Sequence, residues 1–482
     1  MRTLLTARHV VGHEGGQHRL LTDGQVVIED DRILFVGREF PGEVQARHDF
    51  GMALIGPGFV DLDALSDLDT TILGYDNQPP AEKGRIWPKD YTARAYEMYS
   101  PEELAFQKRY ALALLLRHGI TTALPIASLF YREWGETTEE FAAAAEAAQE
   151  LGIRVYLGPA YRTGNTYVDE DGAIRCHYDE ARGLAGLDEA IAFCRRFEGS
   201  GLVRTMFAPD RIETCTAELL RRTAAAVREL DVPVRLHCCQ SKLEYALVVQ
   251  QHGMSPPEWL QSLGFLSPRA LLPHGTWVSG SRGLERPGRD LEIIGAAGAS
   301  IVHCPIVSAR GGRALDSFSR YRARGLRIGL GTDTWPPDIL ANMQVGVMLA
   351  RVMDGGATGV RAADYYDAAT LGGADALGRP DLGRLAAGAK ADITVFDLSH
   401  PLMGQVIDPI QTLLIGGAGR DVRDVFVDGR HVVRNGAVAG FDLAAGHARA
   451  QAQFDGLVAK YPQRTWKHPP VEAIFSPSYP RA

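Results

Sequence analysis

The 482-residue sequence is poor in cysteine: it has six, none of them in a Cys-x-x-Cys pair. So few cysteines in so long a chain exclude a disulfide-stapled scaffold. No apolar run approaches the roughly 20 residues that a transmembrane helix needs. The first residues lack both a sustained apolar stretch and a small-residue cleavage site, which argues against secretion. We therefore expect a cytoplasmic protein that does not enter the membrane.

Positive charge is also scarce, because 51 Lys and Arg residues face 59 Asp and Glu residues and the formal net charge is −8. Proteins that bind nucleic acid through its phosphates need a basic surface, so this balance argues against a nucleic-acid partner. The content of 45% hydrophobic and 23% charged residues is that of a globular chain and excludes full disorder. These proportions favour an enzyme that acts on a small-molecule substrate.

The two ends of the chain are rich in short β-branched runs, whereas the middle alternates strands with helices. We predict a composite β-sandwich of residues 1–56 and 386–440, with residues 57–385 forming a separate α/β domain. Residues 441–482 are predicted to form a C-terminal helix, over 443–460, and a tail. Three helix starts carry the Ser/Thr-x-x-Glu capping signature, at Ser100 with Glu103, Thr137 with Glu140, and Ser255 with Glu258. The first of these predicts a helix over 101–117.

Four predicted strands in the middle of the chain end at ionisable residues: His237, His274, His303 and Asp333. Their spacing, about 30 to 37 residues, is the length of one βα unit. A doubly wound sheet also alternates strands and helices. We favour a (β/α)8 TIM-like barrel, because a closed ring brings the C-terminal ends of many strands to one face.

An ordered series of short motifs accompanies these strand ends. It comprises Pro57-Gly58-Phe59-Val60-Asp61, Leu236-His237, His274-Gly275, His303-Cys304-Pro305, Gly331-Thr332-Asp333 and Gly388-Ala389-Lys390-Ala391-Asp392. The series resembles the amidohydrolase superfamily, in particular its cytosine deaminase and triazine hydrolase branch, over residues 1 to about 440. The resemblance implies a (β/α)8 catalytic barrel with a flanking composite β-sandwich.

The resemblance also implies one divalent metal ion at the C-terminal ends of the strands. Its ligands would be His237 and Asp333, with His274 in or beside the ligand set. Imidazoles and a carboxylate suit zinc first, and Fe, Co or Mn as alternatives. Such an ion lowers the pKa of a bound water to about 7. Asp333 or His274 would then accept the proton of that water.

The sequence departs from the family pattern, and two of the departures bear directly on catalysis. The His-x-His pair that follows the first barrel strand is replaced by Asp63 and Leu65. Leu65 cannot bind a metal; Asp63 is either a ligand or a buried polar residue, and a site without metal stays open. Three residues beyond the strand-5 His the family usually has Glu, and this chain has Gln240. An amide side chain can orient substrate but cannot transfer a proton. Glu244 matches a second acidic position. Some thiocarbamate (molinate) and phenylurea hydrolases also have an altered first motif.

Several further side chains are candidates for substrate contact, either because they follow barrel strands or because they are aromatic and close to site positions. They are His303, Trp277, Trp335, Tyr161 and Arg211. An arginine such as Arg211 or Arg162 can clamp a carboxylate, although a solvated loop arginine is the plainer interpretation of each. The aromatic-rich segment 66–100, which includes Tyr75 and Trp87, either roofs the pocket or forms a subunit contact. The second role predicts a homo-oligomer, a dimer or tetramer.

Three functions remain open at this point. The first is a metal-dependent hydrolase of a C–N bond (amide, urea, carbamate or amidine-like) in a small, partly aromatic substrate. The second is a metal-free or rewired enzyme of the same fold: a cyclase, lyase or isomerase. The third is a ligand-binding relative that has lost catalysis. Retention of His237, His274 and Asp333 ranks catalysis above binding alone.

Overall fold

A computed structural model describes residues 1–68 and 86–480 of the chain. One large sheet joins strands from both ends of the sequence, in the order β22-β21-β20-β19-β5-β1-β2-β3, with β4 paired to β1. The N-terminal strands are β1 (Arg2–Glu14), β2 (Gln17–Glu29), β3 (Arg32–Gly37), β4 (Ala46–Asp49) and β5 (Ala53–Pro57). The C-terminal strands are β19 (Ile393–Asp397), β20 (Val422–Val427), β21 (Arg430–Arg434) and β22 (Ala437–Val438).

The two chain ends meet where β5 pairs antiparallel with β19, Ile55 lying opposite Val395. Apolar residues from both chain ends form a common core, which includes Val10 of β1, Val26 of β2 and Ile393 of β19. β20 and β21 are joined by a tight turn in which Asp428 and Gly429 both have positive φ. This is the hairpin that the Asp-Gly pair predicts.

The middle of the chain forms two parallel four-stranded sheets, in the orders β13-β9-β8-β6 and β15-β16-β17-β18. The first contains β6 (Phe59–Leu65), β8 (Ile120–Ile126), β9 (Arg154–Leu157) and β13 (Val203–Thr205). The second contains β15 (Val234–Arg235), β16 (Ala270–Pro273), β17 (Ser300–His303) and β18 (Arg327–Leu330). Short flanking strands are β7 (Trp87–Pro88), β10 (Ala160–Tyr161), β11 (Gly164–Val168), β12 (Ile174–Tyr178) and β14 (Ala208–Pro209).

Helices separate these strands. They are α1 (Lys89–Thr92), α2 (Pro101–Arg117), α3 (Thr138–Leu151), α4 (Glu180–Phe197), α5 (Ala217–Leu230), α6 (Lys242–His252), α7 (Pro256–Ser262), α8 (Asp290–Ala296), α9 (Pro305–Arg310), α10 (Phe318–Ala323), α11 (Ile339–Asp354), α12 (Ala362–Asp367), α13 (Gly373–Ala376) and α14 (Pro409–Gly416). After the strands of the large sheet follow α15 (Leu443–Lys460) and α16 (Val471–Ile474). The predicted capping boxes at Ser100, Thr137 and Ser255 are all formed.

The two parallel sheets contact each other at both edges. Phe207 and Val234 form an isolated parallel bridge on one side. On the other side the Asp333 amide donates to the Asp63 carbonyl over 2.8 Å. The α/β class is therefore confirmed, but within residues 1–68 and 86–480 no sheet closes into a continuous barrel. No helix in this part of the chain is both long and apolar enough to cross a membrane.

Candidate metal and substrate site

His237 lies just beyond β15, and its ring is held in one orientation by the backbone. Nδ1 lies 2.7 Å from the carbonyl oxygen of Asp210, which can only accept a hydrogen bond, so Nδ1 carries the proton. Nε2 is then the nitrogen with a free lone pair, and it faces Asp63 at 3.7 Å from Oδ2. Burial, reinforced by the nearby Arg211 and Arg235 charges, holds the pKa of His237 well below its ordinary value. The ring is therefore neutral, the form that binds metals.

His274 follows β16 directly and adopts a left-handed backbone conformation, with φ of 77°. Its ring lies beside that of His237, with centroids 5.5 Å apart, and burial likewise lowers its pKa well below the ordinary value. Among the described residues neither Nδ1 nor Nε2 has a hydrogen-bond partner. Nε2 lies 3.7 Å from Asp333 Oδ2. A buried imidazole without a partner is costly unless a ligand or ion completes it.

Asp63 is fully buried near the C-terminal end of strand β6. Its Oδ1 lies 3.3 Å from Nε of Arg235, and its Oδ2 lies 3.7 Å from Cys304 Sγ. Arg235 also donates to the carbonyls of Leu124 and Pro125 across the sheets, at 2.9 and 3.2 Å. Burial raises the pKa of Asp63 to about 7 and lowers that of Arg235, although their opposite charges counteract both shifts.

Asp61 ties the first parallel strand to the last. Its carboxylate accepts from the Thr332 hydroxyl over 2.6 Å, and from the backbone amides of Thr332 and Asp63 over 3.1 Å each. These bonds, together with that from Asp333 N to Asp63 O, hold the two loops against each other. Asp333 itself has a positive φ of 43°. The backbone between β6 and the loop after β18 therefore holds the carboxylates of Asp63 and Asp333 near the imidazoles of His237 and His274.

Two overlapping groups of ligand atoms lie close enough together to share an ion. One comprises Asp63, His237 and His274, and the other His274, Cys304 and Asp333, with ligand atoms within 4.8 Å of one another in each. Neutral imidazoles and carboxylates fit a divalent ion such as zinc. Leu65, the second replaced position, is buried and offers no donor atom. The predicted set His237, His274, Asp333 and Asp63 is thus brought together.

A cavity of about 450 Å³ opens above this cluster, with His237 and Asp333 in its lining. Its wall includes the aromatic rings of Trp87 and Trp277, the latter stacked under the Lys242 ammonium at 4.6 Å. The volume is in the range of pockets that hold small organic ligands. The charged side chains of the lining are Arg162, Asp210, Arg211, Glu213, Lys242, Glu244, Arg313 and Asp333.

Gln240 and Arg211 form one unit in this wall, because Arg211 Nη1 donates to Gln240 Oε1. The Gln240 amide nitrogen is therefore the end that can donate to a ligand. Glu244 accepts from the backbone amides of Cys239 and Gln240 and so fixes the loop that carries Gln240. Burial, with a contribution from Glu213, raises the pKa of Glu244 to about 8. Gln240, Arg211 and Trp277 thus all line the cavity, and their contacts with a substrate stay predictions.

Three predicted substrate contacts lie elsewhere. The Tyr161 hydroxyl is buried against Thr223 Oγ1 at 2.9 Å on helix α5. His303 is buried beside Tyr365, with ring centroids 5.9 Å apart, and Trp335 stacks on Tyr110. None of the three belongs to the described lining of the cavity. The role of these three residues as substrate contacts therefore stays a prediction.

Two residues of the site were missed or undervalued in the sequence. Arg235 precedes His237 by two positions, so the period of a strand places both on one face, which is the signal that could have revealed it. Arg162, interpreted as a solvated loop residue, is 4% exposed and lines the cavity. Of the aromatic segment, Trp87 reaches the cavity, whereas Tyr75 lies outside the described residues.

Comparison with known proteins identifies the family of the chain. The model of the Amidohydrolase family matches residues 66–432, which is most of the chain. The chain belongs to this family. The resemblance and the prediction of an amidohydrolase-superfamily enzyme are therefore confirmed.

Relatives match this amidohydrolase over nearly its whole length. A 5-methylthioadenosine/S-adenosylhomocysteine deaminase from Halobacterium salinarum is 27% identical over 451 residues, covering 91% of this chain and 95% of the relative. A 5'-deoxyadenosine deaminase from Methanosarcina mazei is 26% identical over 446 residues, covering 91% and 94%.

Solved structures share the fold. A zinc-bound adenosine deaminase from Xanthomonas campestris superposes with a TM-score of 0.77 at 22% identity, over 94% of this chain and 98% of that one. Atrazine chlorohydrolase from Arthrobacter aurescens TC1, complexed with zinc, gives 0.74 at 23% identity, over 94% and 99%.

Proposed function

We propose that this amidohydrolase is a metal-dependent hydrolase of a C–N bond, of the amide, urea, carbamate or amidine-like type, in a small and partly aromatic substrate. The observation that carries the proposal is the pair of buried, neutral imidazoles. His237 presents Nε2 with its Nδ1 proton committed to the Asp210 carbonyl, and neither ring nitrogen of His274 has a hydrogen-bond partner among the described residues. Matched relatives that are named deaminases support the reaction class.

The donor set fits one divalent ion, with His237, His274, Asp333 and Asp63 as its ligands and zinc as the first choice. When bound, the ion supplies a Lewis acid that brings the pKa of a water to about 7. The Asp210 carbonyl keeps His237 in the tautomer that a metal ligand requires. Asp333 Oδ2, 3.7 Å from His274 Nε2, is the atom placed to accept the proton of the attacking water and pass it on.

Gln240 orients the substrate in this proposal. Since Arg211 occupies its oxygen, its amide nitrogen is left to donate to a carbonyl or ring nitrogen of the substrate. Trp277 and Trp87 supply flat apolar surfaces for a ring. The floor of the cavity would then hold the scissile bond, and its walls the remainder of the molecule.

We propose that residues 57–385 form a (β/α)8 barrel, which the Phe207–Val234 bridge and the hydrogen bond from Asp333 to Asp63 between the two parallel sheets support. Residues 1–56 and 386–440 form the β-sandwich, and 441–482 the C-terminal helix and tail. We also propose a cytoplasmic homo-oligomer, a dimer or tetramer, that binds neither nucleic acid nor membrane.

The test is turnover against a panel of amides, ureas, carbamates and amino-substituted heterocycles. We expect release of ammonia or an amine that is lost after dialysis with a chelator and restored by zinc. Asp333→Asn should lose turnover while keeping the fold. An active enzyme whose turnover resists chelation would contradict the proposal.

The Asp63–Arg235 ion pair favours a second candidate, the metal-free or rewired enzyme. With Asp63 paired to a guanidinium at 3.3 Å, the carboxylate has a protein partner of its own. A cyclisation, elimination or isomerisation could then proceed on His237 and Asp333 alone. Chelator-resistant turnover that His237→Ala abolishes would select this candidate over hydrolysis.

A further inference from the structure

Arg162 is a buried cation in the wall of the cavity, between strands β10 and β11. Its guanidinium carbon lies 5.4 Å from the ring centre of Trp87 and 5.3 Å from that of Trp134. The Trp134 indole N–H donates to the Arg162 carbonyl over 2.9 Å, which fixes this arrangement. Two aromatic faces and a local hydrogen bond thus hold the guanidinium in place without neutralising it.

The guanidinium is only partly satisfied by protein. Nη1 donates to Asn165 Oδ1 over 3.0 Å and lies 3.7 Å from Asp210 Oδ2. Nε and Nη2, together with Asn165 Nδ2, have no partner among residues 1–68 and 86–480. Both side chains are more than nine-tenths buried, at 4% and 8% exposure, and both line the cavity. Buried donors without acceptors are costly, so a ligand that accepts from them is favoured.

The identity of the two open donors selects the ligand. Nε–H and Nη2–H point in parallel along one edge of the guanidinium plane, which is the edge that forms two bonds to the two oxygens of a carboxylate. Asn165 Nδ2 adds a third donor, since its oxygen is committed to Nη1. A ligand with one acceptor atom would leave part of this edge unsatisfied.

Arg162 is also close to the chemistry. Asp210 lies between Arg162 and His237: its carboxylate is 3.7 Å from Arg162 Nη1, and its backbone carbonyl oxygen is 2.7 Å from His237 Nδ1. The carboxylic acids Glu213 and Glu244 line the same cavity, and burial raises the pKa of each, which favours their neutral forms. The pKa of Arg162 is lowered by burial to about 10, which leaves it charged at neutral pH. Arg162 is thus a charged donor in the wall that it shares with the cations Arg211, Lys242 and Arg313.

We propose that the substrate carries a carboxylate, which Arg162 binds through Nε and Nη2, with Asn165 as a further donor, while the scissile group lies over His237 and Asp333. This inference rests on the proposed function and names its substrate class. It makes the substrate a small aromatic or heterocyclic acid instead of a neutral nucleoside or triazine.

The test is equilibrium binding of benzoate and of benzamide to the intact protein, by ligand-observed NMR titration. Benzoate should bind at least about tenfold more tightly, because a charge-assisted pair of bonds replaces neutral ones. Arg162→Gln should weaken benzoate by about tenfold or more and leave benzamide unchanged, and Arg162→Lys should fall between. Arg182→Gln is the matched control: Arg182 stacks on the same Trp134, at 5.0 Å, but is half exposed and outside the cavity lining.

Equal affinities for benzoate and benzamide, no saturable benzoate binding, or equal effects of Arg162→Gln and Arg182→Gln would each overturn the proposal. Should Arg162→Gln fail to fold by circular dichroism, Asn165→Asp provides the second test. It places a carboxylate against Arg162 and should repel benzoate, and unchanged affinity would again overturn the proposal. Because binding needs no turnover, carboxylate preference without C–N hydrolysis would refute the proposed function and leave this subsite standing.

Discussion

Removing Asp63, Arg235 or both tests whether the pair beneath the proposed ion is a single electrostatic unit. The Asp63 carboxylate and the Arg235 guanidinium are both buried, and Asp63 Oδ1 lies 3.3 Å from Arg235 Nε. Removing one partner of such a pair leaves an uncompensated charge, which costs about 3–5 kcal/mol. Asp63→Asn should therefore lower the free energy of unfolding by that amount.

Arg235→Met should cost more than Asp63→Asn. It leaves the buried Asp63 carboxyl without its cation and also removes the hydrogen bonds to the carbonyls of Leu124 and Pro125, each worth about 1 kcal/mol net. The double variant removes both charges and should retain only the cost of the two lost bonds, about 2 kcal/mol. Burial works against the charged form of both groups, so their joint removal recovers that cost.

The assay is urea-induced unfolding followed by tryptophan fluorescence, with chelator present in every sample so that ion binding does not contribute. The double-mutant cycle should yield a coupling energy of several kcal/mol, with the double variant more stable than either single variant. Additive losses in the double variant would refute the account of this pair.

Two further predictions concern stability. Lys108→Met should destabilise the fold by about 3–5 kcal/mol, since Nζ bridges the buried carboxylates of Glu136 and Glu140 at 2.9 and 3.3 Å. Arg109→Met, on the same helix but in an exposed pair, should cost less than about 1 kcal/mol, so similar thermal midpoints for the two variants would contradict this. The pKa of Glu244 is raised from 4.5 to about 8 in the folded protein. The folded state therefore binds the proton more tightly than the unfolded state. The resulting contribution to the free energy of unfolding is fully present below pH 4.5 and is lost as the pH rises through 8. Thermal melts should therefore show the advantage of wild type over Glu244→Gln shrinking between about pH 5 and pH 9, and a constant difference would argue against the shift.

Local signals in the sequence predict much of the fold. The helices at 101–117 and 443–460 have the predicted bounds, because a capping residue and apolar spacing specify them without help from distant residues. The gathering of His237, His274 and Asp333 follows from their position after successive parallel strands, whose C-terminal ends meet at one face.

Side-chain direction and long-range pairing could not be predicted in the same way. Tyr161 and Arg162 are neighbours in the chain, yet one enters the core beside Thr223 and the other lines the cavity, because successive side chains alternate across extended backbone. The Asp63–Arg235 pair joins residues far apart in sequence and depends on how the two parallel sheets face each other. Such contacts are settled by tertiary packing.

The most direct test of the central claim, a divalent ion on two neutral imidazoles and carboxylates, is the metal content of the purified protein by elemental analysis. We expect about one divalent ion per chain in wild type. His252→Ala should keep the ion, since that ring stacks on Trp259 outside the described cavity lining, whereas His237→Ala and His274→Ala should lose most of it. Catalytically active wild type without stoichiometric metal, or equal metal content in all four proteins, would contradict the claim.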